Sequence, residues 1–459
     1  MSNKVVGIAA IVVIAVVAIA AAVIVMNNDN GGSGGGSGTY VNNLDELARV
    51  YGNANMDSYL NDDDIKQLKK IINDGLDWKT DYPYADANVD GKVNQADIDY
   101  VQNFLDKKSQ LMYYTTNVGA TDYVHFPISG KIGCNYDYGY MVAQIFDQWD
   151  NVTSGLERWT IAKNADGTWK VSENRYPGAH SFINLGDGKD KETLAENIIK
   201  SGIRVYMGQP DTQVEEYLRA AEKADGTIID VINLKYAQMN KYGTPVSTVM
   251  TTAIMFDEQE HAKKYLDMFN DTVKTIQKKT KNLATKTFIQ PYNPSNDGAN
   301  VYVDCLGISA TNGYNSMGDY WTLSLLPLVD GLGAQAAGNY IQVEKEMIVT
   351  ANPDIMVISL WGNITDQTSP ADAQKTFETA AAYMSAVPAY SNGGTVGVCF
   401  ETIGTPLGPS GLMLVASYIW PDVFTEDEGW DMLQKWYDEF TEFTGDVRQA
   451  GGLMCFKHV

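Results

Sequence analysis

The chain has 459 residues, 57 acidic against 34 basic side chains, and a formal net charge of -23. A surface this negative repels phosphate backbones and anionic lipid headgroups, so nucleic acid is excluded as a partner. Cys134, Cys305, Cys399 and Cys455 stand far apart without a CxxC pair. That argues against a structural zinc or redox motif, and leaves free thiols and three disulfide pairings open.

In chain order, the first element is an unbroken apolar run at residues 5–26, VVGIAAIVVIAVVAIAAAVIVM. As a helix rising about 1.5 Å per residue it reaches roughly 30 Å, the thickness of a bilayer core. The expectation is a single-pass transmembrane helix, with Lys4 favouring a cytoplasmic N-terminus and the body outside the cell. A cleaved signal peptide, cut near the small residues at 20–22, is the rival reading. Residues 27–39, NNDNGGSGGGSGT, form a flexible polar tether. The remaining stretch of about 420 residues is too long for one ordinary core and predicts several folding units.

Two loops of calcium-binding spacing follow. In the second, DANVDGKVNQAD, Asp86, Asn88 and Asp90 hold positions 1, 3 and 5, and Gly91 makes the sharp turn. Lys92 offers its carbonyl at position 7, Asn94 stands at 9 and Asp97 closes at 12. Calcium requires six to eight hard oxygen ligands, and this spacing wraps them around one ion. The first loop, NANMDSYLNDDD, supplies Asn53, Asn55, Asp57, Tyr59 through its carbonyl, Asn61 and Asp64. Asn53 lacks a charge and Ser58 replaces the glycine, so two calcium ions are expected, with the first bound more weakly. Each loop enters an amphipathic segment, at 65–72 and 98–105. A duplicated loop–helix unit closing on Asp resembles a dockerin domain, here over residues 40–107. The resemblance implies a handle for a cohesin-domain partner; a calcium-stabilised spacer is the alternative.

Beyond residue 111, short apolar strand candidates alternate with longer amphipathic stretches: 131–134 before 141–149, 203–207 before 214–224, and 355–359 before 371–387. This pattern predicts an α/β architecture. A long charged amphipathic segment at 257–282 divides it into lobes at 108–256 and 283–459. No GxSxG, HExxH, P-loop or GxGxxG occurs, and the four histidines have no ligand or triad spacing, which lowers the expectation of an enzyme.

The segments VEKEMIVTANPDIMVIS at 343–359 and GPSGLMLVASYIWPDVF at 408–424 resemble, in order and around the central helix, class III substrate-binding proteins of ABC importers. In that group iron-siderophores, haem and cobalamin are captured. The resemblance covers roughly residues 113–443. It implies a two-lobed α/β fold joined by one long helix, a non-catalytic role, and delivery of cargo to an ABC permease dimer. It also implies one acidic docking residue on each lobe, carried to Glu196 and Glu346. In the N-lobe, ETLAENIIKSGIRVYMG at 192–208 departs from the family's Lys-Pro-Asp before the strand, having Ser201, Gly202 and Ile203 there.

Strand-end loops should supply the ligand contacts. The candidates are Asn135, Tyr136, Tyr138, Tyr140 and Gln209 in the first lobe. In the second they are Asn312, Tyr314, Tyr320, Trp321, Trp361, Phe400 and Glu401. Aromatic faces suit a macrocycle, corrin or catecholate, and amides and hydroxyls fix its rim. A bare metal ion is disfavoured because the expected histidine set is missing, so the cargo is expected to be a chelated metal complex. A dockerin-bearing enzyme remains the rival; it would need a second carboxylate at glycosidase spacing from Glu401.

Overall fold

The computed structural model describes residues 46–157, 160–164, 167–237, 242–295, 300–305, 307–309, 313–315, 323, 325–332, 338–360, 364, 367–450 and 455–458. The first element is the small loop–helix module. Its helices Asp62–Asp74 and Gln95–Leu105 each begin in a capping box, Asn61 with Asp64 and Asn94 with Asp97. In a capping box two orphan backbone donors are satisfied reciprocally. Positions 9 and 12 of the calcium pattern are therefore also helix-start residues, and one spacing serves both purposes.

The module is not held at a distance from the body. Ala48, Val50, Leu60, Leu68, Val101 and Phe104 belong to the same apolar core as the interlobe helices. A hairpin, Gln110–Thr115 with Thr121–Phe126, makes the join; Val50 bridges to Tyr114, and Phe104 packs on Phe126 at 4.3 Å between ring centroids.

In the N-lobe, five parallel strands lie in the order Ile183–Asn184, Val152–Gly155, Ile132–Cys134, Val205–Met207, Asp230–Val231. Helices Asp137–Ile145, Lys191–Ser201 and Thr212–Asp225 serve as crossovers. The chain then passes through the wholly buried helix Pro245–Met255 into the 22-residue spine helix Gln259–Thr280. The C-lobe sheet places Leu328–Asp330, Lys286–Ile289, Ile355–Ser359 and Thr395–Val398 in parallel, with Cys455–Lys457 antiparallel at that end. On the other branch Pro291–Tyr292 pairs parallel with Ile355–Ser359, and Asn300–Cys305 and Gly338–Glu344 follow, each antiparallel to the strand before it. Helices Gly408–Ile419 and Glu426–Phe440 pack closely enough that a Cβ on Gly429 would collide with the Leu414 backbone. Cys134 and Cys455 are buried free thiols, and Cys399 is buried.

The expected fold class is corrected in one respect. Two α/β lobes joined by a long helix are present, but no helix among the described residues is long and apolar enough to cross a membrane. The longest is the spine, and its outer face carries Glu260, Lys263, Lys264, Asp267 and Lys274, which a bilayer core would reject. The run at 5–26 lies outside the described residues. The transmembrane helix, membrane attachment through it, and the single-pass extracellular location inferred from it are withdrawn.

Phe104 is 3 % exposed and sits where module and hairpin meet. Phe104→Ala should cost about 3–5 kcal/mol of unfolding free energy. Denaturant melts followed together by module and body probes should show one shared transition; separate transitions would show that the module folds on its own.

Candidate functional site

The strand order of the N-lobe reverses between Ile132–Cys134 and Val205–Met207, and a crevice opens at the carboxyl ends of strands at such a point. Asn135 and Gln209 follow these two strands directly. The Asn135 side chain accepts from the Gln209 backbone N–H at 2.7 Å and donates to the Gln209 carbonyl at 3.0 Å, tying both loops together. Gly208, at φ 125, admits this approach, because a Cβ there would strike Asn135 Oδ1. Tyr136 and Tyr138 stack at 5.0 Å and 18°, and Gln209 Nε2 donates to the Tyr138 hydroxyl. Tyr138 is buried, while Tyr136 and Gln209 are half-buried at the crevice.

Across the crevice, the strand Thr395–Val398 leads through Cys399 into the short helix Phe400–Gly404. Phe400 and Glu401 are half-buried at its start. The Glu401 carboxyl is hydrogen-bonded to that of Asp137, the first residue of the helix Asp137–Ile145, so the two lobes meet through an acid pair. Burial between the lobes pushes Asp137 above the usual carboxylate range, against the pull of the Arg175 guanidinium and of nearby backbone N–H groups. Arg175 is 2 % exposed, and its guanidinium lies 4.8 Å from the Tyr176 ring and 6.0 Å from that of Tyr437.

Arg175 reaches this position on a strap. Residues 156–182 connect the neighbouring parallel strands Val152–Gly155 and Ile183–Asn184, a crossover usually made by a helix. Here the path carries no α-helix among its described residues. Lys163 lies 4.3 Å over Trp169, which stacks on His180 at 4.5 Å and 12°. From this support the strap crosses to the C-lobe. Asn174 Nδ2 donates to the Thr444 carbonyl at 3.0 Å and Asn174 Oδ1 accepts from Thr444 N at 3.2 Å. Gln367 Nε2 donates to the Val171 carbonyl at 3.1 Å and also to that of Trp169.

The other expected site residues fall as follows. Tyr140 is fully buried in an aromatic cluster with Trp149, Tyr176 and Phe182, away from the opening. Tyr314 lies on the strand Gly313–Asn315, paired with Gly307–Ser309. Asn312, Tyr320, Trp321 and Trp361 lie outside the described residues. Glu196 is exposed on Lys191–Ser201 and paired with Lys200 at 2.8 Å. Glu346 stands in the first turn of the helix Lys345–Ala351 and lines a cavity of about 380 Å³ with Gly331, Leu332 and Met347. Sequence reading passed over Asp137 and Arg175. Asp137 lay within the NYDY run and reads as an ordinary first-turn acid; Arg175 stands in a stretch with no periodicity at all.

In the two module loops, backbone N–H groups fill the ligand oxygens. Asp97 accepts from Ala87 N at 2.8 Å and Asn94 N at 2.8 Å; Asp90 Oδ1 accepts from Lys92 N at 2.9 Å. Burial raises Asp86 and Asp97, and pushes Asp64 up to about 7. Among the described residues no group of three or more His, Cys, Asp or Glu side chains is drawn together as a metal site. Asn88 and Asn94 add neutral oxygens to Asp86, Asp90 and Asp97 in the second loop, a donor set of the hard type that calcium prefers.

No protein-family model matches the chain, and no curated protein matches it. Solved structures do. The TroA-like periplasmic binding protein FepB from Veillonella parvula superposes with a TM-score of 0.55 at 15% identity, over 72% of this chain and 97% of that one. CeuE from Helicobacter pylori gives a TM-score of 0.49 at 16% identity, over 74% of this chain and 98% of that one. A second periplasmic binding protein from Veillonella parvula gives 0.49 at 13%, over 68% and 98%. The chain thus shares the two-lobed, helix-linked fold of the first of these, a TroA-like periplasmic binding protein.

The acid pair makes lobe contact depend on pH. A carboxyl whose folded pKa is raised contributes stability fully below its unfolded value of about 3.9 and loses it as pH rises through the folded value. Asp137→Asn keeps a hydrogen-bonding group without the charge. Its melting temperature relative to wild type should therefore rise as pH increases above about 4; a difference that stays flat as pH increases would remove Asp137 as the titrating contact.

Proposed function

We propose that the crevice captures a chelated metal compound of the iron-siderophore, cobalamin or haem type, and that the protein presents it to an ABC importer. The observation that carries this reading is the convergence of two switch-point loops, with their stacked tyrosines, on an acid pair and a buried arginine supplied from both sides of a two-lobed binding fold. Stacked aromatic faces suit a flat or macrocyclic chelate, and the charged floor suits its polar rim. A preformed multi-histidine site is not part of this proposal, because a chelate brings the metal's own ligands with it.

The rival reading as a glycoside-cleaving enzyme meets a geometric objection. A retaining mechanism needs carboxyl groups about 5–5.5 Å apart, and an inverting one about 6.5–9.5 Å. Glu401 does have an acidic neighbour, but Asp137 is in hydrogen-bond contact with it and leaves no space for a scissile bond.

Glu196 and Glu346 serve, in this proposal, as the docking carboxylates on the two lobes, each giving electrostatic registration on a basic permease face. The dockerin-like reading of the module rests on its loop spacing, and we assign calcium to it through Asp86, Asn88, Asp90, the Lys92 carbonyl, Asn94 and Asp97.

Native mass spectrometry of the full-length protein, incubated with a ferric siderophore, cobalamin and haem in turn, should show one chelate retained at one-to-one stoichiometry. Retention of none would overturn the cargo assignment. Glu196→Arg with Glu346→Arg should leave that binding intact and slow uptake by a reconstituted importer by an order of magnitude or more, roughly, if both carboxylates meet arginines. Unchanged uptake would remove them as docking residues.

A further inference from the structure

The two module loops share a spacing but differ in what fills their interiors. In loop 86–97 the first position is a carboxylate, and the oxygens of Asp86 accept from Asp90 N at 3.0 Å and Gly91 N at 2.8 Å. In loop 53–64 the same position is Asn53, with no exposed surface at all. Its Nδ2 donates to the Ala48 carbonyl at 2.7 Å and to the Asp57 carbonyl at 2.8 Å, and its Oδ1 accepts from Asp57 N at 3.2 Å. Both Nδ2 partners are carbonyl oxygens, which can only accept, so the amide cannot be turned round to present its oxygen there.

The other oxygens of this loop are engaged as well. Asn55 Nδ2 donates to Asp57 Oδ2 at 2.8 Å and Tyr59 N to Asp57 Oδ1 at 2.7 Å. Asp64 accepts from Asn55 N at 3.1 Å and Asn61 N at 2.8 Å. The amide hydrogens of Asn53 thus bring partial positive charge to the Ala48 and Asp57 carbonyls, which draws the loop closed by hydrogen bonds between protein groups.

The outer edge of loop 53–64 is fastened to the body. Leu60 N donates to Gln259 Oε1 at 2.8 Å, and Gln259 Nε2 returns a bond to the Leu60 carbonyl at 3.3 Å. Gln259 is the first residue of the spine helix. Just before the loop, Arg49 N donates to Thr251 Oγ1 at 2.8 Å on the helix Pro245–Met255, and Glu46 accepts from Asn270 Nδ2 at 3.1 Å on the spine. Residues 46–60 therefore span the passage from one interlobe helix to the next.

We propose that loop 53–64 works without a metal ion, the Asn53 amide standing in for it, and that the loop acts as a permanent clasp on the interlobe helices. Loop 86–97 is then the single cation-responsive loop of the module, a statement that rests on the calcium reading given above. The clasp itself does not rest on it. Removing divalent cations should leave the joint between module and spine intact, because every bond in it is a hydrogen bond between protein groups.

The test uses the full-length protein stripped with EGTA and returned to calcium chloride. Native mass spectrometry should find at most one calcium ion per chain. Hydrogen exchange of residues 48–60 and 259–270 should be the same in EGTA and in calcium. Asn53→Asp replaces the donor with a carboxylate facing two carbonyls, so its melting temperature should fall in EGTA and recover with calcium, with one additional ion bound. Two ions on the wild type, or a loss of protection at 48–60 in EGTA of about 10-fold or more, would overturn the clasp. No ion on the wild type with unchanged exchange would overturn the calcium reading of loop 86–97 and uphold the clasp. Should Asn53→Asp fail to fold, the wild-type exchange comparison decides.

Discussion

Everything in this molecule is arranged around the burial of one passage of chain, the turn from the helix Pro245–Met255 into the spine Gln259–Thr280. The first of these helices has no exposed residue, and it is apolar enough that it must be covered on every side. The two sheets cover part of it. The rest is covered by the N-terminal module and by the hairpin, which share its core through Val50, Leu60, Phe104 and Phe126. Two lobes joined by a single helix would otherwise leave that joint wet. The module is thus part of the joint between the lobes, with Leu60 of its first loop bonded to the start of the spine.

The crevice is constrained in a different way. At the switch point, Asn135 and Gln209 spend their polar groups on each other, so the floor of the N-lobe side is fixed before any ligand arrives. The C-lobe side is reached by Asp137, Glu401 and Arg175, a group of charges with one cation to two acids. Desolvating such a set is expensive unless the charges satisfy one another. Their mutual contact ties the two lobes together at this point, while burial keeps Asp137 raised against the pull of Arg175 and Glu401.

Much of the fold was legible because periodicity survives in long elements. The α/β alternation and the spine could be read from strand-length apolar runs and from 257–282, where apolar residues recur at helical spacing. The ligand-side candidates that were legible, Tyr136, Tyr138 and Gln209, followed recognisable strand ends. Asp137 was obscured because an acid at a helix start has an ordinary role in stabilising the dipole. Arg175 was obscured because long-range contacts made by an irregular segment leave no local pattern. Tyr140 stood in the same run as Tyr136 and Tyr138, yet the helix that starts at Asp137 turns it inward to Trp149 and Tyr176. In the module, the pattern Asn-x-x-Asp was ambiguous in principle, since capping boxes and calcium loops ask for the same residues at the same spacing.

The strap at 156–182 has a consequence for how such a protein diversifies. The strand it leads into, Ile183–Asn184, is two residues long, stands at the sheet edge and pairs with its neighbour at only Ser154 and Gly155. Nothing in the register of the sheet fixes the length of the segment before it, and lengthening a loop costs little chain entropy. Its buried side chains, Val171, Arg175, Tyr176 and Ala179, tie the segment into the core, while Asn135 and Gln209 hold the opposite wall in place. The exposed stretch at Gly167 and Thr168 is therefore where this segment can change length without moving its buried anchors.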